Sequence, residues 1–146
     1  MKERRSPHRT QWAAQFAVAS ELCKKNYQVA FTMGNHPAID LMVISPKGTQ
    51  FTIDVKGLYE RNFWGVSNKP KKNSLFYVFA FVPNESSNRY FVLTQTEVNK
   101  GVQKHIEGIK KRRLEKGQSI EKSERFPGLP WSLVEKHENQ WDKLPG

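Results

Sequence analysis

The sequence predicts an α/β domain in which a central mixed sheet of about five strands is flanked by helices. Five short segments are rich in β-branched and aromatic residues and are bounded by turn-forming residues, a pattern typical of strands. Two longer segments indicate helices, because the first repeats apolar residues at three- and four-residue spacing and the second follows a capping residue. The order of these segments favours one sheet. The first helix is expected on one face of this sheet, and the second on or beside another face.

The first helix is expected over residues 11–26, with Thr10 as its cap and Asn26 at its end. Apolar residues recur at helical spacing along one side of it, and this stripe is expected to face the core. The stripe contains Trp12, Phe16, Ala19, Leu22 and Cys23.

Three strands follow the first helix, over residues 27–33, 38–45 and 50–57. The last two are joined by the turn PKGT, in which Gly48 can adopt a positive φ, and they therefore form a hairpin. A polar loop with a short extended piece around FWGVS comes next. The segment 74–83 is nearly all apolar, which predicts a central strand that is covered on both faces.

A fifth strand is expected over residues 89–96, and its last residue, Thr96, can cap a helix over residues 97–115. The remaining residues form a tail that packs across the body of the domain, with one short helix at 132–139. Its aromatic anchors are Phe126, Trp131 and Trp141.

The 146 residues are enough for about one domain. We divide the chain into a flexible basic arm (1–9), the domain itself (10–116) and the tail (117–146). The chain carries 24 Lys and Arg against 14 Asp and Glu, a net charge of +10, which attracts polyanions such as nucleic acid. Cys23 is the only cysteine, which excludes an internal disulfide and a thiolate metal site. No apolar run could span a membrane and no secretory signal begins the chain, so a cytoplasmic protein is expected.

The stretch QFTIDVKGL carries the strongest functional signal. Asp54 and Lys56 lie two residues apart and therefore on one face of the predicted strand. Asp40 is 14 residues earlier, in the other strand of the hairpin, and paired strands lie about 5 Å apart. Two converging carboxylates suit Mg²⁺ or Mn²⁺, which lowers the pKa of a bound water and stabilises the transition state of phosphate transfer. Lys56 would orient or deprotonate that water, or neutralise the phosphate.

The pair formed by AID at 38–40 and DVK at 54–56 resembles the PD-(D/E)xK nuclease superfamily, the fold of many restriction endonucleases and of archaeal Holliday-junction resolvases. In that superfamily the first acid comes from the second strand and the acid-x-Lys from the third, and together they bind one or two Mg²⁺. The resemblance extends over most of the chain from residue 10, through QWAAQFAVASELCKKNYQVA and the later strands. It implies a restriction-endonuclease-like fold.

The resemblance also implies roles for particular residues. Gln15 lies where resolvase-like members usually have a first-helix Glu, and Glu21 is the other candidate for that place. The implied catalytic set is Asp40, Asp54, Lys56 and Gln15. The implied ligands of the Mg²⁺ or Mn²⁺ cofactor are Asp40, Asp54 and the backbone carbonyl near Val55. His36, close to Asp40 in a loop, is interpreted as an ordinary loop histidine rather than a proton shuttle.

The resemblance implies cleavage of phosphodiester bonds in nucleic acid, with DNA favoured over RNA. Basic clusters would hold phosphates without reading sequence, provided that the fold brings them to the site. These candidates are Lys69, Lys71, Lys72, Lys110, Lys111, Arg112 and Arg113. Enzymes of this fold often act as dimers, so a homodimer is one of the assemblies that the resemblance allows.

Two other functions stay open at this point. One is a nucleic-acid-binding module that kept the fold and lost turnover, because Gln15 would offer a metal no charge. The other is a protein-interaction subunit whose sheet and Trp-containing tail bury a partner. Serine hydrolase and nucleotide-driven chemistry have no support, since neither G-x-S-x-G nor G-x-x-x-x-G-K-[ST] occurs.

Overall fold

The structure, a computed structural model, describes residues 3–35 and 39–146. Within these residues it is an α/β fold with three α-helices and a five-stranded mixed central sheet. The α-helices are α1 (Pro7–Lys24), α2 (Gln95–Glu115) and α3 (Trp131–Val134). The strands are β1 (Gln28–Phe31), β2 (Leu41–Ile44), β3 (Gln50–Leu58), β4 (Trp64–Gly65), β5 (Leu75–Phe81), β6 (Arg89–Thr94) and β7 (Gly128–Leu129).

The central sheet has the strand order β1-β2-β3-β5-β6. The pair β3–β5 is parallel and the other pairs are antiparallel, so the expectation of a mixed sheet is confirmed. The predicted hairpin is β2–β3, in which Leu41 pairs with Ile53. The predicted start of its first strand at Ala38 lies outside the described residues. β5 lies inside the sheet beside the central β3, and Tyr77, Val78, Phe79 and Ala80 are fully buried, as an apolar strand covered on both faces requires.

Helix α1 begins at Pro7, earlier than the predicted residue 11. Ser6, and not Thr10, is its cap, because the Ser6 hydroxyl accepts a hydrogen bond from the Arg9 N–H at 3.2 Å. Residues 7–9 therefore belong to the helix rather than to an arm. Arg5, just before it, donates a hydrogen bond to the Val82 carbonyl at 2.6 Å, which joins this end of the helix to the residue after β5.

The stripe of α1 that faces the sheet matches the predicted one only in part, since Ala19 and Leu22 are buried as expected. Ala14, Val18 and Leu22 are fully buried, whereas Phe16 is 60% exposed and Cys23 is also exposed. The small side chain of Ala14 lets the helix backbone approach β3 closely, and this packing turns the aromatic side chains outward. The outer face of α1 therefore carries an aromatic row, which Phe31 of β1 continues. The rings lie 5.3–6.4 Å from their neighbours in the order His8, Trp12, Phe16 and Phe31.

Helix α2 covers the opposite face of the sheet from α1. Val98, Val102 and Ile106 of α2 pack with Tyr77 and Phe79 of β5, while the alternate residues of β5 face the core beneath α1. The cap of α2 is Thr94 rather than the predicted Thr96. The Thr94 hydroxyl accepts from the Glu97 N–H and the Glu97 carboxylate accepts from the Thr94 N–H, so this capping box ends β6 two residues early.

The tail packs on the domain through fewer aromatic anchors than predicted. Trp131 is 8% exposed, and its ring lies 5.5 Å from that of Trp64. Trp141 lies 5.7 Å from Tyr90, but Phe126 is 75% exposed and anchors nothing. The predicted helix at 132–139 is the single turn of α3 followed by a 3₁₀ turn, Glu135–His137.

Polar contacts hold the end of the tail. Lys143 donates hydrogen bonds to both carboxylate oxygens of Glu97 at 2.9 and 3.1 Å and to the Val92 carbonyl at 3.0 Å. The Tyr27 hydroxyl donates to the Pro145 carbonyl at 2.7 Å. These bonds connect the tail to α2, β6 and the start of β1. None of the helices in the described part of the chain is long and apolar enough to cross a membrane.

Candidate functional site

The two acidic residues of the candidate site come from neighbouring strands. Asp40 lies immediately before β2 rather than inside a strand, and its N–H donates to the Ile53 carbonyl at 3.0 Å. Asp54 and Lys56 are two residues apart in β3, so their side chains lie on the same face of the strand. Because Leu41 pairs with Ile53, Asp40 lies across from Asp54 at the end of the ladder.

Among the described residues, Asp40 accepts hydrogen bonds from one backbone and one side-chain donor. Its Oδ2 accepts a hydrogen bond from the Val55 N–H at 2.7 Å, and its Oδ1 accepts a longer one from Gln15 Nε2 at 3.4 Å. Burial raises the pKa of Asp40, and the charge of Asp54 raises it further, although the Val55 N–H opposes both. An added positive charge nearby would therefore stabilise the ionised form of Asp40.

Asp54 is 3% exposed and is paired with two ammonium groups. Lys56 Nζ lies 3.2 Å from Oδ1 of Asp54, and Lys69 Nζ lies 3.4 Å from Oδ2. A buried carboxylate without such partners would be strongly destabilising. The two lysine side chains are 29% and 28% exposed, so each ammonium contacts both the buried acid and solvent.

Helix α1 supplies two amides to the site. Gln15 is buried against Asp40, as described above, and Gln11 lies one turn earlier on the same helix face. Gln11 Nε2 donates to the Val55 carbonyl at 2.7 Å, so the backbone oxygen expected to bind metal already accepts a hydrogen bond. Glu21, the other candidate from this helix, instead pairs with Lys24 at 3.3 Å.

Tyr77 is a site residue that sequence reasoning missed. It pairs with Asp54 in the parallel β3–β5 ladder, and its hydroxyl is buried without a hydrogen-bond partner among residues 3–35 and 39–146. Burial, with a contribution from the charge of Asp54, raises the pKa of Tyr77 to about 12. It is therefore a protonated donor at neutral pH. No local signal in the sequence could identify Tyr77, because the register of a parallel strand pair is set by long-range contacts. Gln11 was also missed, although its spacing of four residues from Gln15 was a usable signal.

The oxygen atoms near Asp40 and Asp54 are chemically suited to a hard divalent cation. Two carboxylates, the Val55 carbonyl and the Gln15 amide oxygen are the ligand types that Mg²⁺ and Mn²⁺ accept, with water and phosphate in the remaining positions. The described residues contain no group of three or more His, Cys, Asp or Glu side chains that could hold a metal ion. A cation here would thus rely on two acids. The side-chain NH₂ groups of Gln11 and Gln15 would have to rotate away from the Val55 carbonyl and from Asp40.

The predicted phosphate-binding residues lie in two separate places. Lys69 contacts Asp54, and Lys71 and Lys72 are exposed in the same loop, beside the beginning of α2. The other cluster, residues 110–113, lies in the last turns of α2, about 22 Å or more along the helix axis from Gln95. There Lys110 pairs with Glu124 at 3.3 Å and Arg113 donates to the Ser119 carbonyl at 3.1 Å. The structure thus brings only the first cluster to the site.

His36 lies outside the described residues.

No protein-family model, no curated protein and no solved structure matches this chain. The site is therefore interpreted from its own geometry.

Proposed function

We propose that this protein is a metal-dependent nuclease that hydrolyses phosphodiester bonds of nucleic acid, with DNA favoured over RNA. The observation that carries the proposal is that Asp40, Asp54 and Lys56 come together from two paired strands. We further propose that the chain has the restriction-endonuclease-like fold and belongs to the PD-(D/E)xK superfamily. A mixed five-stranded sheet with helices on both faces supports that assignment.

Each residue has a role in the proposed reaction. Asp40 and Asp54 would hold Mg²⁺ or Mn²⁺ together with the carbonyl oxygens of Val55 and Gln15. Bound there, the ion would supply an activated water and stabilise the charge that develops on the phosphate. Lys56 is joined to Asp54 yet partly exposed, so its ammonium can orient the attacking water or neutralise a phosphate oxygen.

Electrostatics around the site support a polyanionic substrate. The chain carries a net charge of +10, and the exposed Lys71 and Lys72 lie in the loop that also supplies Lys69 to Asp54. Phosphates of a nucleic acid would find three ammonium groups within one loop. Contacts of this kind provide affinity that falls with salt and do not depend on sequence.

The test is nicking of supercoiled plasmid by the full chain in Mg²⁺, in Mn²⁺ and in EDTA. We expect cleavage that requires metal and that falls by at least about a hundredfold in Asp54→Asn and in Lys56→Ala, because each removes a group that stabilises the reacting phosphate or its metal. Asp142→Asn and Lys47→Ala are matched controls, because both residues are exposed. Asp142 lies in a 3₁₀ turn of the tail, and Lys47 lies in the hairpin turn. Cleavage that persists in EDTA, or in both site variants, would refute the proposal.

A catalytically impaired nucleic-acid-binding module is the second candidate. Gln15 is uncharged, and Asp54 is already paired with two lysines, so this buried acid is neutralised without a metal. This candidate predicts DNA binding that is equal in Mg²⁺ and EDTA, with no cutting in either. Binding measured by fluorescence anisotropy beside the nicking assay separates the two functions.

A further inference from the structure

The loop before β5 is fixed on the beginning of α2 by side-chain to backbone hydrogen bonds. Gln95, which is 2% exposed, accepts from the Lys72 N–H at 2.8 Å and donates to the Pro70 carbonyl at 3.2 Å. Asn99, one turn further along α2, donates to the Lys69 carbonyl at 3.1 Å. The backbone of this loop is thus held at three successive points, and the position of the Lys69 α-carbon is determined by α2.

From this fixed point the Lys69 side chain reaches the buried acid. Its ammonium lies 3.4 Å from Oδ2 of Asp54, on the oxygen that Lys56 does not occupy. Lys71 belongs to the same loop but is exposed and is not one of the two lysines that pair with Asp54. Position, rather than the mere presence of basic residues, therefore selects Lys69 for this contact.

A divalent cation on Asp54 would conflict with this arrangement. Each carboxylate oxygen of Asp54 is paired with one lysine ammonium. A divalent cation placed beside these oxygens would be repelled by both ammonium groups. Lys56 already has a role at the reacting phosphate in the proposed function, whereas Lys69 has none that requires contact with the acid. The Lys69 side chain has four rotatable bonds, is 28% exposed, and can therefore leave while its backbone stays fixed.

We propose that Lys69 is an internal counter-ion of Asp54 that the incoming divalent cation displaces, and that the released ammonium then binds a phosphate of the nucleic acid. The inference rests on the proposed function. It makes metal and nucleic acid bind cooperatively, because each favours the state in which Lys69 has left Asp54, and such coupling is reciprocal. In the absence of both, Lys69 keeps the buried acid neutralised.

The test measures Mn²⁺ affinity of the full chain by isothermal titration calorimetry, without nucleic acid and with a short phosphorothioate DNA duplex that resists cleavage. Lys69→Met removes the competing ammonium and keeps the aliphatic stem, so Mn²⁺ should bind the free protein about three- to tenfold more tightly than it binds wild type. DNA should then raise the Mn²⁺ affinity of this variant less than that of wild type. Lys69→Arg keeps the charge and should behave as wild type does.

Lys71→Met is the matched control, because it removes one positive charge from the same loop without touching Asp54. If Lys69→Met and Lys71→Met bind Mn²⁺ equally, or if Lys69→Met binds it more weakly than wild type does, the displacement is refuted while the proposed nuclease stands on its nicking assay. If neither wild type nor Lys69→Met binds Mn²⁺, both the displacement and the proposed function fail.

Discussion

At the scale of single residues, Asp40 is the group whose ionisation works against folding. Burial, helped by the charge of Asp54, raises its pKa above the ordinary value. A folded-state pKa above that of the unfolded chain means that the folded state binds the proton more tightly. The resulting stability is fully present below the unfolded pKa of about 3.9 and is lost as the pH rises through the higher folded-state value.

Asp40→Asn should therefore stabilise the protein at neutral pH. The amide oxygen can still accept the Val55 hydrogen bond, but no charge has to be buried, so we expect a rise of a few °C in melting temperature at pH 7 in EDTA. Scanning calorimetry between pH 7 and pH 4 should show this gain shrinking as wild-type Asp40 becomes protonated. Asp142→Asn, at an exposed position, should show no such trend. A gain that does not change with pH would contradict the assigned ionisation.

Part of this site follows from local rules of sequence. The alternation around Asp54 and Lys56 and the turn at Gly48 are enough to expect these side chains near Asp40, and the structure has them there. The contact of Lys69 with Asp54 could not be predicted in the same way. It depends on how an irregular loop is fixed to α2, and no periodic pattern encodes that path.

At the scale of elements, α1 and β3 approach each other closely at Gly57. A β-carbon placed on Gly57 would lie 2.7 Å from Cβ of Ala14 and 3.1 Å from the Thr10 carbonyl oxygen. Gly57 directly follows Lys56, so this contact also sets the distance between the helix amides and the acids on the strands. Small residues on both elements thus position the candidate site.

Gly57→Ala should destabilise the protein by about 1–3 kcal/mol, because the added methyl group forces α1 away from β3. Urea denaturation followed by circular dichroism measures this change. The matched control is Gly65→Ala, also at a strand glycine, where an added β-carbon meets nothing within 4 Å. That variant should be neutral or slightly stabilising. Equal effects of the two substitutions would show that the close contact does not limit packing.

The same contact explains why the buried stripe of α1 could not be chosen from sequence. The helix carries two overlapping apolar stripes, one with large aromatic residues such as Phe16 and one with small residues such as Ala14. Hydrophobicity favours the first stripe. The second wins because a glycine on β3 accepts only a small partner, and that complementarity is visible only once the two elements are paired.

At the scale of the whole molecule, Lys143 connects the tail to both β6 and α2. Its ammonium donates to the Val92 carbonyl and to Glu97, and it also lies 2.7 Å from Nδ1 of His137. Burial would raise the pKa of Glu97, but the Thr94 N–H and Lys143 hold it below its ordinary value. This junction therefore joins the tail to the cap of α2 through a charged hydrogen bond.

Lys143→Met should lower the free energy of unfolding by about 1–3 kcal/mol, because it removes charge-assisted hydrogen bonds and leaves the Val92 carbonyl without this donor. Chemical denaturation gives the value. Lys136→Met, at an exposed position in the same tail, should change stability by less than about 0.5 kcal/mol. A loss of the same size in both variants would mean that Lys143 does not tie the tail down.

The bonds between the tail and the first strands also bear on how the chain folds during its own synthesis. The Tyr27 hydroxyl and the Pro145 carbonyl are 118 residues apart, and Ser45 donates at 2.7 Å to the Gly146 carbonyl, 101 residues away. At typical elongation rates a ribosome needs about 6–24 s to cover the longer interval. For those seconds Tyr27 and Ser45, which flank the β1–β2 pair, lack these partners in the tail. A nascent chain that lacks such contacts is open to chaperones and to premature association, and these two bonds form only after the tail has emerged.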